Sequence, residues 1–355
     1  MLRILILNLL WIGFFMALPN KASAQKTGPA EMISIGLLVN EVNETRAINS
    51  ANSVVKRIND SGGINGKKIK LESRLVKGAW GAGSSQIVDL VFKDKVIGII
   101  GALDGRNSHL AEQVIAKTQV LFVSAWSSDP SLSKAYVSWY YSVIPTDDQQ
   151  AKLLATSIDR KHEESSKILV IHDGSYDAGQ SLKSFRAAMT KHQNFKIQTL
   201  EILSFNEELE WHKKISESEL DVVLFLGTSL PLVQIHEYIL KNSGKVPAMY
   251  FNLAASASLE FDNLLSQKPQ NIRYISNSQS KYSKNPGKVE DYVEDGMMAL
   301  ITSLQNTNND FENIQKVMSE INFQGVTGRI EFDDLGRLKN AESQLKIITP
   351  QEILK

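Results

Sequence analysis

The sequence predicts an α/β protein made of two doubly wound, Rossmann-like lobes, and three observations carry that expectation. The chain has 355 residues, more than a single hydrophobic core usually serves and enough for two lobes of ordinary domain size with a cleft between them. Hydrophobic residues make up 43% and charged residues 22%, with no low-complexity run, which is a globular composition and excludes disorder and fibres. From Met32 onward, short β-rich runs alternate with longer stretches of helical period, as a parallel sheet with crossover helices requires.

Each element follows from its local pattern. Residues 33–39 form an apolar run predicted as a buried strand, and Ala47, Ala51, Val54, Val55 and Ile58 then fall on one helical face over 45–60. Ser61-Gly62-Gly63-Ile64-Asn65-Gly66 stops that helix, because glycine accepts the left-handed backbone that ends a helix and turns the chain. Strands are predicted at 69–75, 96–100 and 120–124, with helices at 84–93 and 108–117 between them, which completes one lobe. Residues 139–143 lead across to Pro145-Thr146-Asp147, where a helix to Arg160 opens a second series. That series comprises a strand at 168–171, a helix at 179–192, strands at 197–202 and 222–226, a helix at 230–240 and a strand at 248–251. A strand at 272–276 is expected to return to the first lobe. Beyond it, 291–304 and 311–321 are predicted helices, 325–328 a turn, and 329–332 and 345–348 strands.

The first residues stand apart. Residues 2–18 are almost wholly apolar around Arg3, and Ala22-Ser23-Ala24 has the small-x-small form that signal peptidase cuts, so 1–24 is expected to be a cleaved secretory signal. Such a run is also close to the lower limit for a membrane anchor, but Pro19 and the small residues at 22–24 lie where a stop-transfer flank would carry basic residues. Cleavage removes Arg3 and Lys21 and no acid, so 39 acidic residues face 37 basic ones. That balance argues against nucleic acid or an anionic membrane surface as partner, since both favour a basic face. Cysteine is absent, which excludes a lipid-modified cysteine, thiolate metal sites and cysteine nucleophiles.

Several stretches together resemble a known family. Ile35-Gly36-Leu37-Leu38-Val39, Asn59-Asp60-Ser61-Gly62-Gly63-Ile64-Asn65-Gly66 and Val96-Ile97-Gly98-Ile99-Ile100-Gly101 look like the first lobe of the type I periplasmic binding proteins, in the branch that includes leucine/isoleucine/valine receptors. Phe122-Val123-Ser124-Ala125-Trp126-Ser127-Ser128-Asp129-Pro130, Pro145-Thr146-Asp147, Lys167-Ile168-Leu169-Val170-Ile171-His172-Asp173, Asp291-Tyr292-Val293-Glu294-Asp295 and Phe323-Gln324-Gly325-Val326-Thr327-Gly328 stand in the family's order and at about its spacing. The resemblance implies two lobes joined by three crossover strands, crossing near 143–144, 276–277 and 328–330. One lobe would then hold 30–143 plus 277–327 and the other 144–276 plus 328–355. It further implies a periplasmic receptor that closes on a small solute and delivers it to the permease and ATPase subunits of an ABC importer. A sensing module for a membrane kinase or chemoreceptor is the alternative, and a monomer is expected.

In open α/β sheets a ligand lies beyond the carboxyl ends of strands, where helix N-termini point N–H groups into the crevice. Asp104, Arg106, Asn107 and Ser108 occupy such a loop. Arg106 offers a bidentate partner for an acid, Asp104 the opposite preference, and Asn107 and Ser108 either an anion site or a simple helix cap. The resemblance puts ligand contacts on this loop and on the one carrying Trp126, Ser127 and Ser128. Ser128 keeps the family's hydroxyl, whereas Trp126 replaces a small residue, so that it stacks on the ligand, narrows the pocket or packs between lobes. From the second lobe, Tyr176 matches the family's tyrosine, and Asp177 and Ser229 follow strands in the same way. Asn252 opens a stretch where amino-acid-binding members carry an acid for the ligand's ammonium, and Asn252-Leu253-Ala254-Ala255-Ser256 contains none. Unless Asp104, Asp177 or Asp295 replaces it, an α-amino acid is disfavoured, because a buried ammonium without a partner carries a heavy desolvation penalty. The solute class stays open among amino acids, amides and small organic acids.

Catalytic constellations do not form. Residues 62–67 lack the spacing and hydroxyl of a phosphate-binding loop, 78–83 lack the nucleotide fingerprint, and His236-Glu237 has Leu240 where a zinc protease needs its second histidine. No Gly-x-Ser-x-Gly elbow occurs, and the six histidines are scattered. A binding protein is expected, not an enzyme, with no cofactor and no metal.

Overall fold

The computed structural model describes residues 32–353 apart from 78–81, 133, 164, 193–194, 203–207, 217–218, 278–286 and 308–310. The expected signal at 1–24 lies outside the described residues. The strands are β1 Ile33–Asn40, β2 Ile69–Val76, β3 Gly98–Ala102, β4 Leu121–Ser124, β5 Tyr140–Ser142, β6 Lys167–His172, β7 Lys196–Glu201, β8 Val222–Leu226, β9 Ala248–Phe251, β10 Ile272–Asn277, β11 Asn322–Gln324, β12 Arg329–Glu331 and β13 Leu345–Ile348. The helices are α1 Glu44–Asp60, α2 Ala82–Phe92, α3 Gly105–Thr118, α4 Asp147–Lys161, α5 Tyr176–Met189, α6 Glu208–Ser216, α7 Leu232–Asn242, α8 Leu253–Ala257, α9 Leu259–Ser266, α10 Val289–Asn306, α11 Ile314–Glu320, α12 Ala341–Gln344 and α13 Pro350–Ile353.

The first sheet has the order β2-β1-β3-β4-β5, all parallel. The second repeats it as β7-β6-β8-β9-β10, also parallel, with β13 added antiparallel beside β10. Each sheet therefore reverses its strand order once, between β1 and β3 and between β6 and β8. Central parallel strands are covered by helices on both faces and need continuous apolar runs, which is why β3, β4 and β8 are buried along their whole length. At the second sheet's edge, β7 buries only Leu200 fully. α1 and α10 pack together, with α10 also against β3 and β4, so the helix that follows the second sheet's β10 serves the first sheet's core. β11 and β12 form a separate antiparallel ribbon. Among the described residues, no helix is long and apolar enough to cross a membrane.

Three local differences from the sequence expectation matter. The strand at 272–277 pairs with β9 and β13 and so belongs to the second sheet, because the short α8–α9 crossover lays it beside β9. Helix α3 starts at Gly105, capped by the Asp104 carboxylate that accepts the Asn107 N–H at 2.8 Å, and α5 starts at Tyr176, capped by Ser175. Both helices thus begin three residues before their predicted starts, close to the strand ends that precede them. Finally, α6, α8 and α9 are helices that the periodicity did not reveal.

Candidate ligand site between the lobes

The carboxyl ends of the two sheets face a common cavity of about 200 Å³. The first sheet lines it with Asn40, Val42 and Asn43 after β1, Asp104 after β3, Trp126 and Ser128 after β4, and Ile144 after β5. The second contributes Ser175, Asp177, Ala178 and Ser181 after β6, Gly227, Thr228 and Ser229 after β8, and Leu253 and Ala254 after β9, with Gln150 from α4. Both points of strand-order reversal thus open onto one space, and that crevice is where open α/β sheets take ligands. A larger cavity of about 540 Å³ lies at the opposite, amino ends of β6 and β8. There Asp221 accepts from the Lys167 backbone N–H at 3.0 Å and pairs with Lys245 Nζ at 3.1 Å.

The lobes touch around the smaller cavity. The Gly105 N–H donates to Asp177 Oδ1 at 2.8 Å, and the Tyr176 hydroxyl donates to Asp129 Oδ2 at 2.8 Å. A Cβ at Gly105 would meet Asp177 Oδ1 at 2.7 Å and the Tyr176 ring at 2.9 Å, so this approach needs glycine. On the same interface, Asp262 of α9 is held by Arg46 of α1 at 2.9 Å and by Lys288 at the head of α10 at 2.6 Å. In the second lobe, Gly227 takes φ +107° and brings the Thr228 and Ser229 N–H groups onto Asp173 Oδ2 at 2.9 and 3.0 Å.

Burial, with repulsion from Asp104, Asp129 and Asp173, pushes the Asp177 carboxyl up to about 7 against the hydrogen bond from Gly105. Hydrogen bonds to Asp129 and Glu112 raise His109 to about 9. Burial pushes Asp129 up, but bonds from His109, Ser131 and Tyr176 outweigh it and hold that carboxyl well below the usual range. The sequence reading missed Asp147, the first residue of α4. It is 2% exposed, its Oδ1 accepts the Ser128 hydroxyl at 2.9 Å and the Ser181 hydroxyl at 2.7 Å, and burial pushes it up to about 8.

Of the residues singled out from sequence, Asp104, Trp126, Ser128, Asp177 and Ser229 line the cavity. Trp126 does so while packing edge-on to Tyr292, with ring centroids 6.3 Å apart. The others stand around it. Arg106 is exposed, its guanidinium 5.5 Å from the centre of the Tyr176 ring. Asn107 binds Asp104 through both its backbone and its side chain, and Ser108 and Ser127 are buried with hydroxyls that have no partner. Tyr176 bridges to Asp129, and Asn252 is buried, capping α8 through Ala255 N–H and reaching Ser181 at 3.3 Å. Asp295 is engaged away from the cavity, accepting from the Val326 and Thr327 backbone and the Thr327 hydroxyl. Asn40 and Asn43 were not anticipated, although the strand-end rule that found Asp104 applies equally to the end of β1.

Paired sheets of order 2-1-3-4-5 with a ligand crevice between them define the type I periplasmic binding protein fold. A model of the periplasmic binding protein family matches residues 40–208. A Pseudomonas aeruginosa protein described as an amino acid binding protein is 29% identical over 127 residues, which span 35% of this chain and 33% of that relative's length. Among solved structures, LivJ, the branched-chain amino acid transporter substrate binding protein of Streptococcus pneumoniae in complex with isoleucine, superposes with a TM-score of 0.72 at 17% identity, covering 87% of this chain and 94% of that one. The leucine binding protein LivK of Thermotoga maritima gives 0.72 at 15% identity over 90% and 100% of the two chains. A Rhodopseudomonas palustris solute binding protein in complex with benzoate gives 0.71 at 11% identity over 86% and 90%.

Proposed function

We propose that the chain is a periplasmic solute receptor, not an enzyme, whose lobes, 30–143 with 277–327 and 144–276 with 328–355, hinge together on a small molecule. The receptor then presents its closed form to the permease and ATPase subunits of an ABC importer. One observation carries this reading: the strand-order reversals of both sheets converge on a single cavity lined from both sides. The family model matched over residues 40–208 and the substrate-binding proteins that the chain resembles support it. Asp104, Trp126, Ser128, Asp177 and Ser229 would touch the solute. Arg106, Asn107, Ser108, Ser127, Tyr176 and Asn252 would hold those residues and the closed interface. A ligand favours closure only by as much as it binds the closed form better than the open one.

A thermal-shift screen of the chain lacking 1–24, against amino acids, amides, amines, aliphatic and aromatic acids and purines, tests the proposal. A tight ligand raises the melting temperature by linkage and should shrink the particle in small-angle scattering. Scattering from one rigid body, unchanged by every solute, would sink it.

A further inference from the structure

Resting on that receptor reading, we infer that the cavity takes a small organic cation. It would be a primary amine bearing an uncharged hydrogen-bonding group, held between Asp104 of the first lobe and Asp177 of the second. Charge is the first argument. Among the described residues that line the cavity, Asp104 and Asp177 are the charged ones, and no lysine, arginine or histidine joins them. Arg106, the nearest cation along the chain, lies exposed against Tyr176.

Donor occupancy is the second. The backbone N–H groups that a strand–helix junction offers an anion are here given to the chain's own carboxylates. Gly105 donates to Asp177 at 2.8 Å, Asn107 to Asp104 at 2.8 Å, and Thr228 and Ser229 to Asp173 at 2.9 and 3.0 Å. A ligand carboxylate would meet like charges and find these donors taken. An ammonium would instead supply the counter-ion that this half-buried carboxylate pair lacks.

The remaining walls refine the class. Asn43 is 5% exposed, and its side-chain nitrogen has no partner, so it calls for an acceptor such as an amide or hydroxyl oxygen on the ligand. Trp126 offers a ring for an apolar portion or for the cation itself. Among the described residues, no group of three or more histidines or carboxylates gathers as a metal ion would need. At about 200 Å³ the space is below that of drug-sized pockets, which start near roughly 300 Å³, and suits a metabolite.

Isothermal titration of the chain lacking 1–24 with leucinamide, leucine and 4-methylpentanoate tests this, because the three share a carbon skeleton and differ in charge. Leucinamide should bind about tenfold or more tighter than leucine, and the acid should not bind. Asp177→Asn keeps an oxygen for the Gly105 N–H while removing the charge. It should weaken leucinamide by about tenfold with its circular dichroism intact. Leucine or the acid binding as tightly as leucinamide, or an unaltered leucinamide affinity in the variant, overturns the cation class and leaves the receptor standing. The same holds if leucinamide, ethanolamine and 1,4-diaminobutane are all silent while an acid or neutral solute from the screen binds. Should every solute be silent, the receptor reading falls with it.

Discussion

Two acidic places on the same lobe interface are treated in opposite ways. At Asp262 the chain brings its own cations from the facing lobe, Arg46 and Lys288, the latter 7% exposed and also bound to the Ser256 carbonyl at 3.0 Å. At the cavity, Asp104 and Asp177 receive backbone N–H groups, which fix their geometry without neutralising them. The Asp262 contact carries its own counter-ions across the lobe interface. The cavity, a site to be completed from outside under the receptor reading, leaves them out. The contrast accounts for the high position of the Asp177 carboxyl beside an otherwise well-paired interface.

The sharpest way to break the comparison is Asp262→Ala. It strands the Lys288 ammonium with one carbonyl partner and should cost about 3 kcal/mol in denaturant unfolding, the scale of breaking a buried pair; a loss under about 1 kcal/mol would make it an ordinary surface contact. The next effect lies at the rim, where His109 faces Asp129, Glu112 and the edge of Tyr176. Its raised position means that its stabilisation is complete below the unfolded value of 6.5 and fades as pH rises through about 9. Melting temperatures should therefore decline between those values, and His109→Asn should flatten the decline.

Asp177→Asn should act with the opposite sign to Asp262→Ala. Its carboxyl is raised, so the ionised form is disfavoured by folding; the empty variant should match the parent below about pH 4 and melt higher above 7, by roughly 1 kcal/mol. A variant that is no more stable at pH 8 would mean that Asp177 is already compensated. The smallest change is Tyr176→Phe, which removes one bond to Asp129 and should cost about 0.5–1 kcal/mol in unfolding.

Much of the fold was legible because parallel strands announce themselves. The runs that became β3 and β8 are apolar throughout and that of β1 is broken only by Ser34 before its polar end, while glycines mark where α1 stops. The pair α8 and α9 was not, because Ser258 ends one helix and caps the next within fourteen residues, too short for a helical period to emerge. In the site, the loops after β3, β4, β6 and β8 were singled out by their place after strands, helped after β3, β4 and β6 by the family resemblance. What a loop residue does there depends on a partner from the other lobe: Arg106 turns outward onto Tyr176, and Gly105 rather than Asn107 meets the opposing carboxylate. Asp147 stayed hidden for the same reason, since the serines that bind it lie 19 residues before and 34 residues after it along the chain.

Gly105 has a consequence for how such a receptor could be retuned. It makes no part of the cavity wall, yet a Cβ there would meet Asp177 Oδ1 at 2.7 Å and the Tyr176 ring at 2.9 Å, so under the proposed hinge motion its missing side chain would set how far the jaws shut. A single methyl group at that position would act as a wedge, weakening capture of every solute alike by shifting the resting gape rather than by altering what is recognised. Under the receptor reading, strength of grip and choice of cargo would then be set by different residues.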